Sequence, residues 1–117
     1  MARILIIDDN PDMRIALRTM LETEDHEVLE AEDGTAGIDL YVQDPTDLVI
    51  TDIMMPGQDG IETLLSLKAD YPNIRIIVIS GEERAFLSTV KEFGARAVLP
   101  KPFHVNELLN AVREALS

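Results

Sequence analysis

Four positions in this chain set a chemically capable group directly after an apolar, β-branched run. Leu48-Val49-Ile50-Thr51 ends in Asp52, with Met54, Met55, Pro56 and Gly57 close behind. Arg3-Ile4-Leu5-Ile6-Ile7 runs into Asp8-Asp9, the run 74–79 into Ser80-Gly81, and Ala97-Val98-Leu99 into Pro100-Lys101-Pro102. Three carboxylates held close together repel, and one of them gains a proton unless a cation joins them. A hard divalent cation answers that need. Mg2+ takes oxygen ligands in a tight octahedron and keeps several waters, so one or two carboxylates and a backbone carbonyl fill its protein positions. Such a site suits phosphoryl transfer, the cation polarising a phosphoryl oxygen while a carboxylate attacks phosphorus. Lys101 would neutralise a further phosphoryl oxygen, and the Ser80 hydroxyl would donate to another. Singly these residues have plainer uses: Asp8-Asp9 ahead of Asn10-Pro11 suits a helix N-terminus, Asp52 a turn, and Lys101 a solvated surface. Four strand ends delivering them together point to a site.

Whether they meet depends on the elements that carry them. The short apolar runs read as strands buried on both faces, as in a parallel sheet. Strand-like and helix-like segments alternate five times, the pattern of an α/β fold. The segment 27–31 carries Glu27 and Glu30 among apolar residues and belongs at a sheet edge. Asn10-Pro11 reads as N-cap and first residue of a helix whose inward stripe is Met13, Ala16, Leu17, Met20 and Leu21. A second helix starts at Asp33-Gly34 with Ile38, Tyr41 and Val42 inward and stops at Asp44-Pro45. A third starts at Asp59-Gly60 and turns Ile61, Leu64 and Leu65 to the sheet, after which Tyr71-Pro72-Asn73 leads into the fourth strand. The fourth shows Phe86, Val90 and Phe93 before a left-handed Gly94, and the fifth Val105, Leu108, Leu109, Val112 and Leu116. Right-handed crossovers wind such a chain both ways from its first strand. The expected fold is a (βα)5 doubly wound three-layer sandwich, flavodoxin-like, with a parallel five-stranded sheet of order 2-1-3-4-5. Its switch point lies between strands one and three, so Asp8, Asp9 and Asp52 flank one crevice.

Composition narrows the function classes. A chain of 117 residues makes one domain, 1–117, with a single sizeable core. A mean hydropathy of +0.05, with no long apolar stretch and no signal-peptide pattern, speaks against a membrane span. The absence of cysteine excludes disulfides and thiolate metal sites and accords with a cytoplasmic location. A net charge of −12 repels a phosphate backbone and speaks against nucleic acid as a direct partner, though an acidic surface is also an ordinary solubility device. Linker-like tracts and internal repeats are missing.

Ile6-Ile7-Asp8-Asp9-Asn10, Asp52-Ile53-Met54-Met55-Pro56-Gly57, Ser80-Gly81 and Pro100-Lys101-Pro102-Phe103 stand in a telling order and spacing. Over essentially its full length the chain resembles the receiver domain of two-component response regulators. The family's chemotaxis member is itself a known example of the 2-1-3-4-5 sheet, so that order belongs to the resemblance as much as to the winding argument. The resemblance implies a phosphorelay protein in which Asp52 accepts a phosphoryl group from a phosphohistidine on a sensor histidine kinase or a histidine phosphotransfer protein. It implies Mg2+ (or Mn2+) held directly by Asp9, Asp52 and the Met54 backbone carbonyl, with Asp8 acting mostly through bound water. Ser80 would move toward the phosphoryl group, Lys101 would pair with it, and the peptide before Pro102 would be cis. The implied activity is self-catalysed phosphoryl acceptance and slow autodephosphorylation rather than turnover of an external substrate. Output would be altered partner binding through the face of helix four, strand five and helix five.

One departure matters. The family places Tyr or Phe three residues before the lysine, and this chain has Val98. Without a ring to rotate, the response is expected to run through Ser80 and Gly81-Glu82-Glu83, with helix four shifting as a body. The alternative is a Mg2+-dependent phosphohydrolase with an aspartyl-phosphate intermediate, of the haloacid-dehalogenase kind. That class sets its nucleophile after the first strand and a second acid two residues on, a pattern that Asn10-Pro11 after Asp9 breaks. A pseudo-receiver scaffold is the third reading, and the complete acid set argues against it.

Overall fold

The computed structural model describes residues 1–53, 60–81 and 87–117, the side chains of 87–89 excepted. Five parallel strands, β1 (Arg3–Ile7), β2 (Glu27–Ala31), β3 (Leu48–Asp52), β4 (Ile76–Ser80) and β5 (Ala97–Pro100), pair in the order β2-β1-β3-β4-β5. Helices α1 (Pro11–Glu22), α2 (Gly34–Gln43), α3 (Gly60–Asp70), α4 (Leu87–Glu92) and α5 (Val105–Leu116) alternate with them. The (βα)5 flavodoxin-like arrangement expected from the sequence is the one observed.

Period-two alternation along the strands splits the core into two layers. Ile4, Ile6, Leu48, Ile50, Ile77, Ile79 and Leu99 pack with Leu17 and Leu21 of α1 and Leu108, Leu109 and Val112 of α5. Leu5, Ile7, Val49, Ile76 and Val78 pack on the other face with Tyr41 of α2, Leu64 and Leu67 of α3 and Val90 of α4. Strands β3 and β4 are buried at every position, which is why their sequences run apolar on both faces up to the polar residues at their ends. Edge strand β2 leaves Glu27 exposed and Glu30 half-buried, as its charged sequence requires.

Local signals fix several boundaries. The Asn10 side chain accepts from the backbone N–H groups of Asp12 and Met13 at 2.9 and 3.4 Å, and Pro11 opens α1. Asp33 caps α2 by accepting from Ala36 N–H at 2.8 Å. Gly94 takes φ +108° behind α4, where a side chain would be strained.

Four residues expected to face inward turn outward: Val42, Leu65, Phe93 and Val105 are 54, 44, 39 and 42 % exposed. Close backbone approach explains α2. A Cβ at Gly37 would lie 2.4 Å from Ile7 Cδ1, so the buried stripe is Gly34, Gly37 and Tyr41, and Val42 stands about 100° round from Tyr41. In α3 the stripe is Gly60, Thr63, Leu64 and Leu67, which leaves Leu65 on the flank. Phe93 follows the last residue of α4, and Val105 lies in the first turn of α5, ahead of the buried Leu108. Phe86 lies outside the described residues. On α1, Met13, Ala16 and Met20 are half-buried; with Pro102 and Phe103 they line a groove that opens beside Lys101. Strand β4 starts at Ile76 rather than 74, because Ile74 N–H closes a turn onto the Tyr71 carbonyl at 3.0 Å. Among the described residues no helix is long and apolar enough to cross a membrane.

Adjacent leucines of α3 test this packing. Leu64→Ala should cost about 2–5 kcal/mol of unfolding free energy, while Leu65→Ala should stay within about 0.5 kcal/mol, both read by urea denaturation.

Candidate functional site

The backbone ladder runs past the strand ends and holds the candidate residues in place. Asp8 N–H donates to the Ala31 carbonyl at 3.1 Å, Ile53 N–H to Ile79 at 3.0 Å, and Lys101 N–H to Ser80 at 2.7 Å. Asp8 continues the Ile4, Ile6 row, and Asp52 the Leu48, Ile50 row. Both therefore rise from the face covered by α1 and α5. Ser80 continues the Ile76, Val78 row on the opposite face and is fully buried.

Carboxylate oxygens of Asp8, Asp9 and Asp52 all lie within 4.8 Å of one another. Asp8 and Asp52 are 1 and 7 % exposed, and Asp9 is open to solvent. Lys101 Nζ stands 3.4 Å from Asp52 Oδ2 and donates to it. Asp8 Oδ1 accepts from Asn10 N–H at 2.9 Å, whereas Asp8 Oδ2 is buried with no hydrogen-bond partner. Burial pushes the Asp8 carboxyl above its ordinary pKa of 3.8; the Asn10 N–H opposes the rise, and the charge of Asp52 adds to it. An orphaned carboxylate oxygen beside two further carboxylates is an all-oxygen donor set, and it fits a hard divalent cation. The Met54 carbonyl, expected as a further ligand, lies outside the described residues.

The peptide Lys101-Pro102 is cis, as expected. Val98 is half-buried, pairs in register with Val78 and packs on the core layer beneath Ser80. Glu82 and Glu83 lie outside the described residues.

Two contributors escaped the sequence reading. Gly60 N–H donates to the Ile53 carbonyl at 2.8 Å, and a Cβ on Gly60 would lie 2.1 Å from the Asp52 carbonyl oxygen. Only glycine lets α3 start against the backbone that carries Asp52; in the sequence Gly60 looked merely like a helix start. Arg14 donates from Nη1 to the Asp8 carbonyl at 2.5 Å. Its signal was its place in the first turn of α1, since helical side chains lean toward the N-terminus.

A doubly wound parallel sheet places its ligand crevice at the switch point, and here that crevice holds three acids with a lysine facing them. The family model of the response regulator receiver domain matches residues 4–113, and the chain belongs to that family. It is 35% identical over 115 residues to sporulation initiation phosphotransferase F of Bacillus subtilis, covering 97% of this chain and 93% of that one. It is 38% identical over 120 residues to protein PilH of Pseudomonas aeruginosa, covering 100% and 99%. Among solved structures it resembles the response regulator TrrA of Thermotoga maritima in complex with Mg(2+)-BeF. That likeness has a TM-score of 0.91 and 31% identity, covering 99% of this chain and all of the other. The chain is thus a receiver domain of two-component phosphorelay signalling, a class that takes phosphoryl groups from kinases or phosphotransfer proteins.

The buried Asp8 carboxylate carries a stability prediction. Its folded pKa is raised, so the stability tied to its protonation is fully present below the unfolded value and is lost as pH rises through the folded value. Asp8→Asn, neutral throughout, should stabilise the metal-free protein at pH 7 by about 1–3 kcal/mol. The gain should shrink as pH falls toward 3.8. Thermal unfolding in EDTA across that range measures it.

Proposed function

We propose that Asp52 is the phosphoacceptor, charged by a phosphohistidine on a sensor histidine kinase or a histidine phosphotransfer protein. The observation that carries this reading is the cluster of acid oxygens within 4.8 Å that includes Asp52, faced by Lys101 Nζ. An Asp52 carboxylate oxygen attacks phosphorus as the phosphorus–nitrogen bond of the donor breaks, and the departing imidazole nitrogen keeps the bonding pair. Asp9, Asp52 and the Met54 carbonyl would hold Mg2+, with Asp8 acting through water, and the cation (or Mn2+ in its place) would neutralise the phosphoryl oxygens. The orphaned oxygen of Asp8 supports that assignment.

Lys101 pairs with the Asp52 carboxylate beforehand and with a phosphoryl oxygen afterwards, a role suited to a compact ammonium on a flexible stem. Ser80, one residue past the β-ladder partner of Asp52, supplies a hydroxyl from the neighbouring strand. The groove lined by Met13, Met20, Pro102 and Phe103 flanks the approach to Asp52 and gives the donor protein an apolar seat. Phosphorylation is then read out at the face of α4, β5 and α5. With Val98 beneath Ser80 in place of a ring, displacement of α4 carries the change. Taken whole, residues 1–117 act as one receiver domain in the cytoplasm, accepting and slowly losing the phosphoryl group without turning over an external substrate.

Acetyl phosphate with Mg2+ should add one phosphoryl mass, and EDTA or Asp52→Asn should abolish it. Lys101→Ala should still take the label but lose the accompanying amide NMR shifts between Ser80 and Lys101. Equal labelling of Asp52→Asn would remove Asp52 as the acceptor, and many turnovers of an external phosphate ester would favour the phosphohydrolase.

A further inference from the structure

The acid pair is gripped from behind by an ionic clamp that the phosphoryl chemistry does not itself require. Arg14, in the first turn of α1, donates from Nη1 to the Asp8 carbonyl at 2.5 Å and from Nε to Glu30 Oε1 at 3.1 Å. One turn on, Arg18 Nε donates to the other oxygen of Glu30 at 2.7 Å, and its Nη2 to the Val28 carbonyl at 3.1 Å. Glu30, on the edge strand, therefore fixes the direction of the Arg14 guanidinium. The Arg14 and Glu30 side chains are only 18 and 28 % exposed, so solvent competes weakly for this geometry.

The Asp8 main chain is consequently held at both ends, its N–H by Ala31 and its C=O by Arg14. That carbonyl belongs to the Asp8–Asp9 peptide, whose plane contains the Asp9 N–Cα bond and so places the Cα from which the Asp9 side chain springs. Asp9 has no side-chain hydrogen bond among the described residues to orient it otherwise. We infer that Arg14 is a positioning residue for the cation site, aiming Asp9 through the peptide it grips and itself aimed by Glu30. The inference rests on the Mg2+ reading above. Groups behind metal ligands are worth about 10–100-fold in metal affinity.

Charge and positioning predict opposite signs here. A guanidinium near a cation repels it, so removing Arg14 would tighten Mg2+ binding if charge were all that mattered. The test is a Mg2+ titration followed by the amide shifts of Asp9 and Asn10, without any phosphoryl donor. Arg14→Met should weaken Mg2+ about tenfold. Arg14→Lys, which keeps the charge but reaches one acceptor at a time, should fall between it and the native protein. Arg18→Met removes the other bond to Glu30 and should leave Mg2+ affinity unchanged while lowering the melting temperature. Unchanged or tighter binding in both Arg14 variants, or equal weakening in Arg18→Met, overturns the assignment. Failure of the native protein to bind Mg2+ overturns instead the reading of the acid cluster.

Discussion

Mutual repulsion among desolvated acids is the condition around which the rest of the molecule is arranged. A parallel sheet brings every carboxyl strand end to one edge, and here that edge gathers Asp8, Asp9 and Asp52 with oxygens within 4.8 Å of one another. Two of the three are almost wholly buried. Water screens them poorly, and each ionised group raises the cost of the next. Lys101, reaching over from β5, offsets part of that cost at Asp52, and the Asn10 N–H part of it at Asp8. What remains uncompensated, most plainly at Asp8 Oδ2, suits this edge to a hard cation. The domain holds destabilising charge in store at its functional edge.

Such an arrangement persists only on a stiff support. The two core layers lock β1, β3 and β4 on both faces, and the ladder extends one residue beyond β1, β3 and β5 to Asp8, Ile53 and Lys101. Gly60 brings the start of α3 against the backbone of Asp52, where any side chain would collide. Glu30 shows the same economy at the edge. A charge that keeps β2 from pairing further also takes up two arginines of α1.

The opposite side of the sheet carries Ser80. Ser80 lies on the α2, α3 and α4 layer, while Asp8 and Asp52 rise from the α1 and α5 layer, so the hydroxyl and the acids stand on opposite faces of one sheet. Beneath Ser80 the chain has Val98, paired with Val78 and half-buried. A β-branched side chain with one rotatable bond has little room to change place.

The sequence by itself determined the architecture and which acids and lysine stand at the strand ends. Short runs such as Leu48-Val49-Ile50, apolar at every position, read as strands covered on both faces, and the acids and lysine follow them closely. Helix starts were legible at Asn10-Pro11 and Asp33-Gly34 because capping is local chemistry. Tertiary structure decided which flank of each helix met the sheet. Val42 and Leu65 satisfy a helical period as well as their neighbours do, and close approach at Gly37 and Gly60 turned them outward. It also decided that Arg14, Glu30 and the Asp8 carbonyl meet, since that contact joins α1, the edge strand and the end of β1. A pattern of period two or 3.6 records which side of an element is apolar; the pairing of polar groups between distant elements is set by distances that exist only once the sheet is built.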